Sequence, residues 1–450
     1  MQAALHQGLT RHGAAASIVT FFALLLVTRH TYNVGPIFLL LASASLWLSG
    51  RRTPLPPLAW PLLMAFSGYV LAIGLSMVAT GERLSTLDNP SRLLLLLVVL
   101  WGLWCWPFRL EAVWLGASLG AFGGLGIALY QRFILEMPRA EGFQHPIMFG
   151  DVAMLLGLLA LVGLAHALHT RRLRRMLVLY LAASLAGLVT SLLSGTRGGW
   201  IGLPVILFAL YRYYAPILPR RLWLGSLIGF ALVGFMTYTI PATGVADRIH
   251  QAIHEVKTFH QDTGAESSVG ARLELWRAGA KLVREAGLLG LSEAQVHDRL
   301  RALVDEGTVR PPVLEQPHFH NEILQHWIRH GLLGLLALLA LYFLPLRTCM
   351  RLVTIHAPEL KAAAMAGVVT LTAIIDFGLT QTFLLHQIGM MAFGFTVTVL
   401  WVAMLQAPAT NEGASLNVRS DLEQPYLPEA LHRQPPTACS PCARDPDPRQ

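Results

Sequence analysis

The sequence predicts an all-α polytopic membrane protein of about twelve transmembrane helices with one large hydrophilic helical insertion. Three observations lead there. Hydrophobic residues make up 54% of the 450 residues and charged residues only 13%, against the roughly 25% charge of a soluble domain. Mean hydropathy is +0.52. Apolar runs of about 17–25 residues, the length that crosses a bilayer as a helix, recur along the chain.

In order, the runs fall near 15–29, 35–50, 58–79, 92–106, 112–130, 147–167, 175–194, 199–213, 223–240, 321–346, 362–381 and 384–405. The first, Ile18 to Thr28, follows Arg11 as the core of a signal peptide would. More spans follow it without a convincing cleavage site, so it is taken as the first span. Between the ninth and tenth runs lies the large hydrophilic insertion, Pro241 to His320, and from about Ala407 the chain turns polar and Pro-rich, as disordered tails do. The expected organisation is spans one to nine over 1–240, an outer loop with amphipathic helices over 241–320, spans ten to twelve over 321–406, and a disordered tail over 407–450.

Alternate connections carry Arg51-Arg52, Arg109, the run Arg171–Arg175, Arg220-Arg221, then Arg347, Arg351 and Lys361. Cations retained on one side mark it as cytoplasmic. With an even number of spans both termini share that side, and the insertion faces outward. The net charge of +8 is thereby a topology signal, and no nucleic-acid partner is needed to explain it. Of four cysteines, Cys105 and Cys349 lie near span ends. Cys439 and Cys442 form a lone CxxC in the Pro-rich tail, which does not make a zinc or redox site.

Arg92, Arg132, Arg139, Arg197 and Arg272 sit on the outer side, where insertion does not favour cations. Any one of them fits a short loop that faces water or headgroups. As a set, converging with His318 and His320, they point to function. Arg197 lies at the tip of "LLSGTRGGWIG", where Gly195, Gly198 and Gly199 let backbone turn tightly. Its planar guanidinium suits bidentate phosphate binding, although a tight turn with a snorkelling arginine reads equally from this segment alone. In "SSVGARLELWRAGAKLVREAG", Leu273, Trp276, Ala280 and Val283 recur at helical spacing, so the segment reads as an amphipathic helix. It packs on the bundle or lies in the interface plane. Arg272 is near its N-terminus, where backbone N–H groups favour anions. Asp88, in "TLDNPSRL", is placed to cap the fourth span and to pair with Arg92. A second amphipathic stretch from Ser292 has the charges of a solvated face.

The richest stretch is "PHFHNEILQHWIRHGLLG". Glu322, His326 and His330 recur every fourth residue, on one helical face, which is possible metal spacing. The stretch is not H-E-x-x-H, however, and Arg329 is close by, so no metal is expected. His320 and Asn321 lie at the outer start of that helix. A neutral imidazole there can take a proton from an incoming hydroxyl, while Asn321 caps the helix or orients a sugar.

These residues resemble a known family. His320-Asn321, nine residues, then Gly331-Leu-Leu-Gly334 fits the pattern H-[NSQ]-x9-G-x-x-[GTY] of the O-antigen ligases and the related bacterial protein O-oligosaccharyltransferases. The glycine-flanked Arg197, Arg272 with Trp276, and the D-x-x-x-R of Asp88 and Arg92 are similar to further features of that family. Ser292 departs from it, standing where a second glycine is frequent. The resemblance implies a GT-C-like glycosyltransferase of the bacterial inner membrane with its site facing the periplasm. Its donor would be an undecaprenyl-diphosphate-linked glycan and its acceptor a hydroxyl of lipid A–core oligosaccharide. It implies inversion without metal or other cofactor, Arg197 and Arg272 clamping the diphosphate, and His320 acting at the acceptor as base or positioner. Arg132, Arg139 and His318 are secondary candidates, beside Asn321, Trp276, Asp88 and Arg92. The alternatives are a protein O-oligosaccharyltransferase, which usually carries a large C-terminal periplasmic domain where this chain has a short tail, and an O-antigen polymerase. From another class comes a lipid-linked glycan flippase, which would use Asp376 and His386 but should spread its charges through the depth of the bilayer.

Overall fold

The computed structural model describes residues 2–50, 53–170, 176–196, 198–217, 220–239, 246, 250 and 268–407. Arg51, Arg52, the basic run 171–175, Arg197, most of 241–267 and the tail from Pro408 lie outside these residues. The described residues form helices joined by short turns, with no strand among them.

In chain order the α-helices are α1 (Gln2–Leu24), α2 (Val34–Leu48), α3 (Trp60–Thr80), α4 (Arg92–Cys105), α5 (Glu111–Leu129), α6 (Pro146–Thr170) and α7 (Leu177–Ser194). There follow α8 (Leu203–Tyr214), α9 (Arg220–Thr239), α10 (Ser268–Glu285), α11 (Glu293–Asp305), α12 (Glu322–Leu352), α13 (Pro358–Thr380) and α14 (Gln387–Gln406). Among the described residues nine helices are long and apolar enough to cross a membrane, namely α2 to α7 and α12 to α14 with their adjoining turns. The chain is a multi-pass membrane protein. The other three expected spans coincide with α1, α8 and α9, which are not among the nine. The apolar part of α1 is only His12–Leu24. In α8 the residues after Arg197 are taken up by a 3-10 turn, Gly198–Trp200, so helix starts at Leu203 and runs for 12 residues. That is about 18 Å of helix, short of a hydrocarbon core of about 30 Å.

Helices α6, α13 and α14 are buried almost throughout and form the middle of the bundle. They are apolar on all sides, as enclosed helices are. Leu41, Leu48, Leu71, Val78 and Phe208 on α2, α3 and α8 are exposed, which suits faces turned to lipid tails rather than water.

The insertion builds a small core of its own. Leu275, Ala278 and Leu282 of α10 pack with Val296, Leu300 and Leu303 of α11, Val313, Phe319, and Ile328 of α12. The buried stripe of α10 is Leu275, Ala278 and Leu282, with Trp276 and Val283 of the expected stripe packed against that core, while Ala280 is exposed. Helix α10 has two neighbours. It lies against α12, where a Cβ on Gly279 would meet Leu324 Cδ2 at 2.5 Å, so it packs on protein and does not lie free in the interface plane. Ser292 is the N-cap of α11, with a capping box completed by Gln295. The serine hydroxyl accepts from the Gln295 N–H, which a glycine would leave open, and Gln295 Oε1 accepts from the Ser292 N–H.

The two glycines of the histidine pattern join insertion to bundle. Gly331 has φ 66° and ψ −164° and interrupts α12 directly after His330. The interruption admits the 287–291 backbone: Leu332 N–H donates to Gly287 O at 3.1 Å, Leu333 N–H to Leu288 O at 3.1 Å, and Leu291 N–H to Ile328 O at 2.9 Å. A Cβ at Gly331 would sit 2.3 Å from the Leu288 carbonyl, and one at Gly334 would sit 2.2 Å from His330 Cβ. Gly331→Ala therefore combines a clash with left-handed strain of about 1–3 kcal/mol. It is expected to lower accumulation and thermal stability in detergent, measured by size-exclusion after heating, far more than Gly225→Ala, where a Cβ meets nothing.

Candidate active site

His320 has φ 50°, left-handed backbone that is uncommon for a non-glycine residue. The segment before it is held through Phe319. The Phe319 ring is buried in the insertion core, its N–H donates to Gln325 Oε1 at 3.1 Å, and its carbonyl accepts from Trp276 Nε1 at 3.1 Å. On the other side Asn321 caps α12, its Oδ1 accepting from Leu324 N–H at 2.9 Å. Asn321 Nδ2 donates to Leu379 O at 3.1 Å, tying that cap to the end of α13. Of the two expected roles for Asn321 the structure assigns the cap. Trp276 serves the histidine through its backbone: Trp276→Phe deletes one hydrogen bond, worth about 1 kcal/mol. A modest fall in thermal stability at unchanged protein level is expected, checked by size-exclusion after heating in detergent.

The imidazole of His320 is oriented as well as placed. Its Nδ1 lies 2.9 Å from Gln381 Oε1, and that same oxygen accepts from Thr382 N–H at 3.2 Å. Gln381 therefore presents its carbonyl, and Nδ1 carries the proton. The lone pair is left at Nε2, the tautomer required of a hydroxyl-proton acceptor. Gln316 faces it, its amide oxygen atom 3.3 Å from Nε2; turned over, that amide donates to the lone pair.

Four imidazoles gather here. The rings of His318 and His320 are 4.2 Å apart edge to face, and those of His318 and His386 are 5.9 Å apart. His145 is near enough that its protonated form would repel a proton on any of the three. Burial first, and then the cations, push each below the usual histidine range. His318 falls to about 3, under burial and then the neighbouring His320, His386 and His145. His320 falls to about 4, under burial and then Arg272. His386 is lowered by burial and His145, and His145 by burial, Arg139 and Arg272. At neutral pH the four are uncharged and Arg272 supplies the positive charge felt at His320. Among the described residues no three His, Cys, Asp or Glu side chains meet in metal-binding geometry.

Arg197 itself lies outside the described residues, but its flanks are placed. Thr196 Oγ1 lies 2.8 Å from Ser194 Oγ and donates to Pro146 O at 3.2 Å. A Cβ on Gly198 would fall 1.7 Å from Thr380 Oγ1, and one on Gly199 2.6 Å from Asp151 Oδ1. Thr380 adjoins Gln381, the partner of His320, so only glycine allows this loop to approach the same spot. Arg139 Nε donates to Ser194 O at 2.8 Å, supporting the same turn. Arg132 donates to the Met137 carbonyl and closes its own turn, Tyr130–Ile134. The Asp88 expectation needs correction. Asp88 is exposed, α4 starts at Ser91 without a side-chain cap, and no ion pair joins Asp88 to Arg92 among the described residues. With the Gln387 amide oxygen turned towards it, Arg92 instead donates through Nη1 at 3.1 Å and Nη2 at 2.5 Å. Asp88 is the C-cap of the 3-10 turn Leu84–Leu87 and precedes α4, which a linear D-x-x-x-R spacing does not reveal.

The polar face of α12 ties it to α3 and lines a cleft. His326 Nδ1 donates to Glu322 O at 2.9 Å, so its Nε2 accepts from Tyr69 Oη at 2.8 Å. His330 Nδ1 is 3.1 Å from Ser76 Oγ, and Glu322 Oε2 accepts from Leu384 N–H at 2.9 Å. His326 Nδ1 also lies 3.3 Å from Glu322 Oε1, and with Arg329 and His318 these residues border a cleft of ≈ 650 Å³.

Residues 182–339 match the family described as O-antigen ligase. The chain carries an O-antigen ligase family domain. A protein of Haemophilus influenzae described only as uncharacterized is 26% identical over 371 residues, covering 82% of this chain and 92% of that protein.

The O-antigen ligase segment contains Arg197, Arg272, Trp276, His318, His320, Asn321 and both glycines of the pattern. The structure completes it with residues on either side. Sequence reasoning missed Gln381, Gln316 and His145, and it saw His386 only as a transport residue. A usable signal existed for Gln381, since "TQT" is a polar break between two apolar runs. His145 shares the loop between α5 and α6 with Arg139.

Proposed function

We propose that this protein is an O-antigen ligase of the bacterial inner membrane. It joins an undecaprenyl-diphosphate-linked glycan to a hydroxyl of lipid A–core oligosaccharide in lipopolysaccharide biosynthesis. In this reading the chain is a multi-pass GT-C-like glycosyltransferase with a periplasmic site. The observation that carries it is His320, fixed with its lone pair at Nε2 and within the field of Arg272, inside the ligase-family segment.

The chemistry follows from these groups. The acceptor hydroxyl oxygen attacks the anomeric carbon while its proton passes to His320 Nε2. The bond from that carbon to the diphosphate oxygen breaks, and the electron pair leaves with undecaprenyl diphosphate. One displacement inverts the anomeric carbon. Arg272 and Arg197 hold the leaving diphosphate, whose growing charge is what a fixed cation stabilises most. Two guanidiniums do what a divalent ion does elsewhere, so the reaction is metal-independent. The bound diphosphate also offsets the charge of Arg272 and raises the basicity of His320 when it is needed. His318, Arg139, Asn321 and Trp276 support this arrangement by position.

The test is purified protein with undecaprenyl-diphosphate glycan, offered lipid A–core or a peptide, in EDTA. Glycan on lipid A–core with chelator present is expected. Transfer to peptide alone assigns a protein O-oligosaccharyltransferase, lengthening of the donor glycan assigns a polymerase, and activity restored only by a divalent ion refutes the metal-free clamp.

A further inference from the structure

The cleft bordered by α3, α11, the 314–319 segment and α12 differs in chemistry from the Arg272 side of His320. Its volume of ≈ 650 Å³ lies within the about 300–1,000 Å³ usual for small-molecule sites. Exposed Glu293 and Glu315 line it together with Asn89, Gln316 and Gln325. Arg329, the lone guanidinium among the lining residues, is held by Glu82 at 2.6 Å and is largely neutralised. Arg272 is not among them. Such a lining repels a diphosphate, whose charges two carboxylates oppose. Amides and carboxylates are instead good partners for neutral hydroxyls.

His320 meets the cleft through Gln316. Gln316 lines it and also stands 3.3 Å from His320 Nε2, on the lone pair that an acceptor hydroxyl must reach. We propose that this cleft binds the acceptor as a neutral saccharide, and that Gln316 is a positioning residue that cedes His320 Nε2 to one sugar hydroxyl and binds a neighbouring one. Donor and acceptor are thereby sorted by charge: the anionic leaving group goes to the arginines, and the uncharged sugar to the carboxylate-rimmed cleft. Exposed Leu385 in its wall offers apolar surface for sugar ring faces. The inference rests on the glycosyl-transfer reading above, but its binding arm does not depend on transfer.

The probe is a neutral oligosaccharide of outer-core hexoses, free of phosphate and of acidic sugars, its binding to full-length protein in nanodiscs followed by saturation-transfer NMR. Wild type is expected to bind it. Ala294→Trp, at an exposed lining position, should weaken that binding at least tenfold and leave undecaprenyl diphosphate binding unchanged. In transfer assays Gln316→Ala should raise the acceptor KM about tenfold, with the donor KM unchanged and kcat less affected. Oligosaccharide binding untouched by Ala294→Trp, loss of undecaprenyl diphosphate in its place, or a shifted donor KM in Gln316→Ala overturns the assignment. Oligosaccharide bound in the cleft by a protein that transfers nothing leaves the cleft standing and removes the ligase reading. Transfer with an unchanged acceptor KM in both variants does the reverse.

Discussion

Replacing His320 by alanine is expected to cut glycan transfer by about 10²–10⁴-fold, the usual contribution of a placed proton acceptor, without lowering the amount of protein in the membrane. The side chain is not a packing element: it is half-buried, and its hydrogen bonds go to two glutamine side chains. What the substitution removes is a lone pair held at Nε2 by Gln381 and by the pinned Phe319 backbone. The pH profile separates proton transfer from mere contact. Because the pKa is depressed, to about 4, the imidazole is neutral and competent at neutral pH. Activity should therefore stay level from about pH 6 to 8 and fall as acid protonates Nε2. Residual activity in His320→Ala should lack that acid limb. The same depression bears on stability, since the unfolded chain, with histidine near 6.5, takes up the proton first. Stability is present above that value and declines as pH falls towards about 4. The acid limb must accordingly be measured by initial rates at each pH after confirming that the protein still elutes intact.

Arg272→Ala is expected to lower kcat by about 10²–10³-fold, the cost of removing one preorganised group from a developing anion. Arg272→Lys should keep part of the rate, because a point charge remains but the planar fork is lost. A second readout follows from the electrostatics. The charge of Arg272 is, after burial, the main influence lowering the pKa of His320. Its removal should move the acid limb of the transfer profile upward, towards the ordinary histidine range. A purely structural role for Arg272 would lower the rate at all pH values and leave the limb in place. Arg197→Ala is expected to lower the rate in the same way, as the second half of the proposed clamp.

How much of this was legible in the sequence follows the range of the interactions. Spans could be placed because hydropathy is local, and it identified the positions of α2 to α7 and α12 to α14. It over-read α8, where a glycine-rich 3-10 turn takes the first residues of the apolar run. His320, Asn321 and Trp276 were visible as residue types in a pattern. Their roles were not, because the Trp276–Phe319 and His320–Gln381 bonds join residues 43 and 61 positions apart. The face Glu322, His326 and His330 was legible as a period but ambiguous as chemistry. Only the positions of Tyr69, Ser76 and Leu384 show what occupies its atoms. Gly331 and Gly334 had the sequence signature without the reason, which is the docking of 287–291 into a broken helix. Asp88 misled because linear spacing was read as helix before the helix had begun.

The most direct test is product analysis in proteoliposomes containing only this protein, undecaprenyl-diphosphate glycan and lipid A–core, followed by mass spectrometry over time. The predicted result is one molecule of undecaprenyl diphosphate released for each glycan joined to lipid A–core, with release abolished together with product in His320→Ala and Arg272→Ala. Donor that crosses the bilayer chemically unchanged, with no new bond to lipid A–core, would contradict the account and return the protein to the transport class.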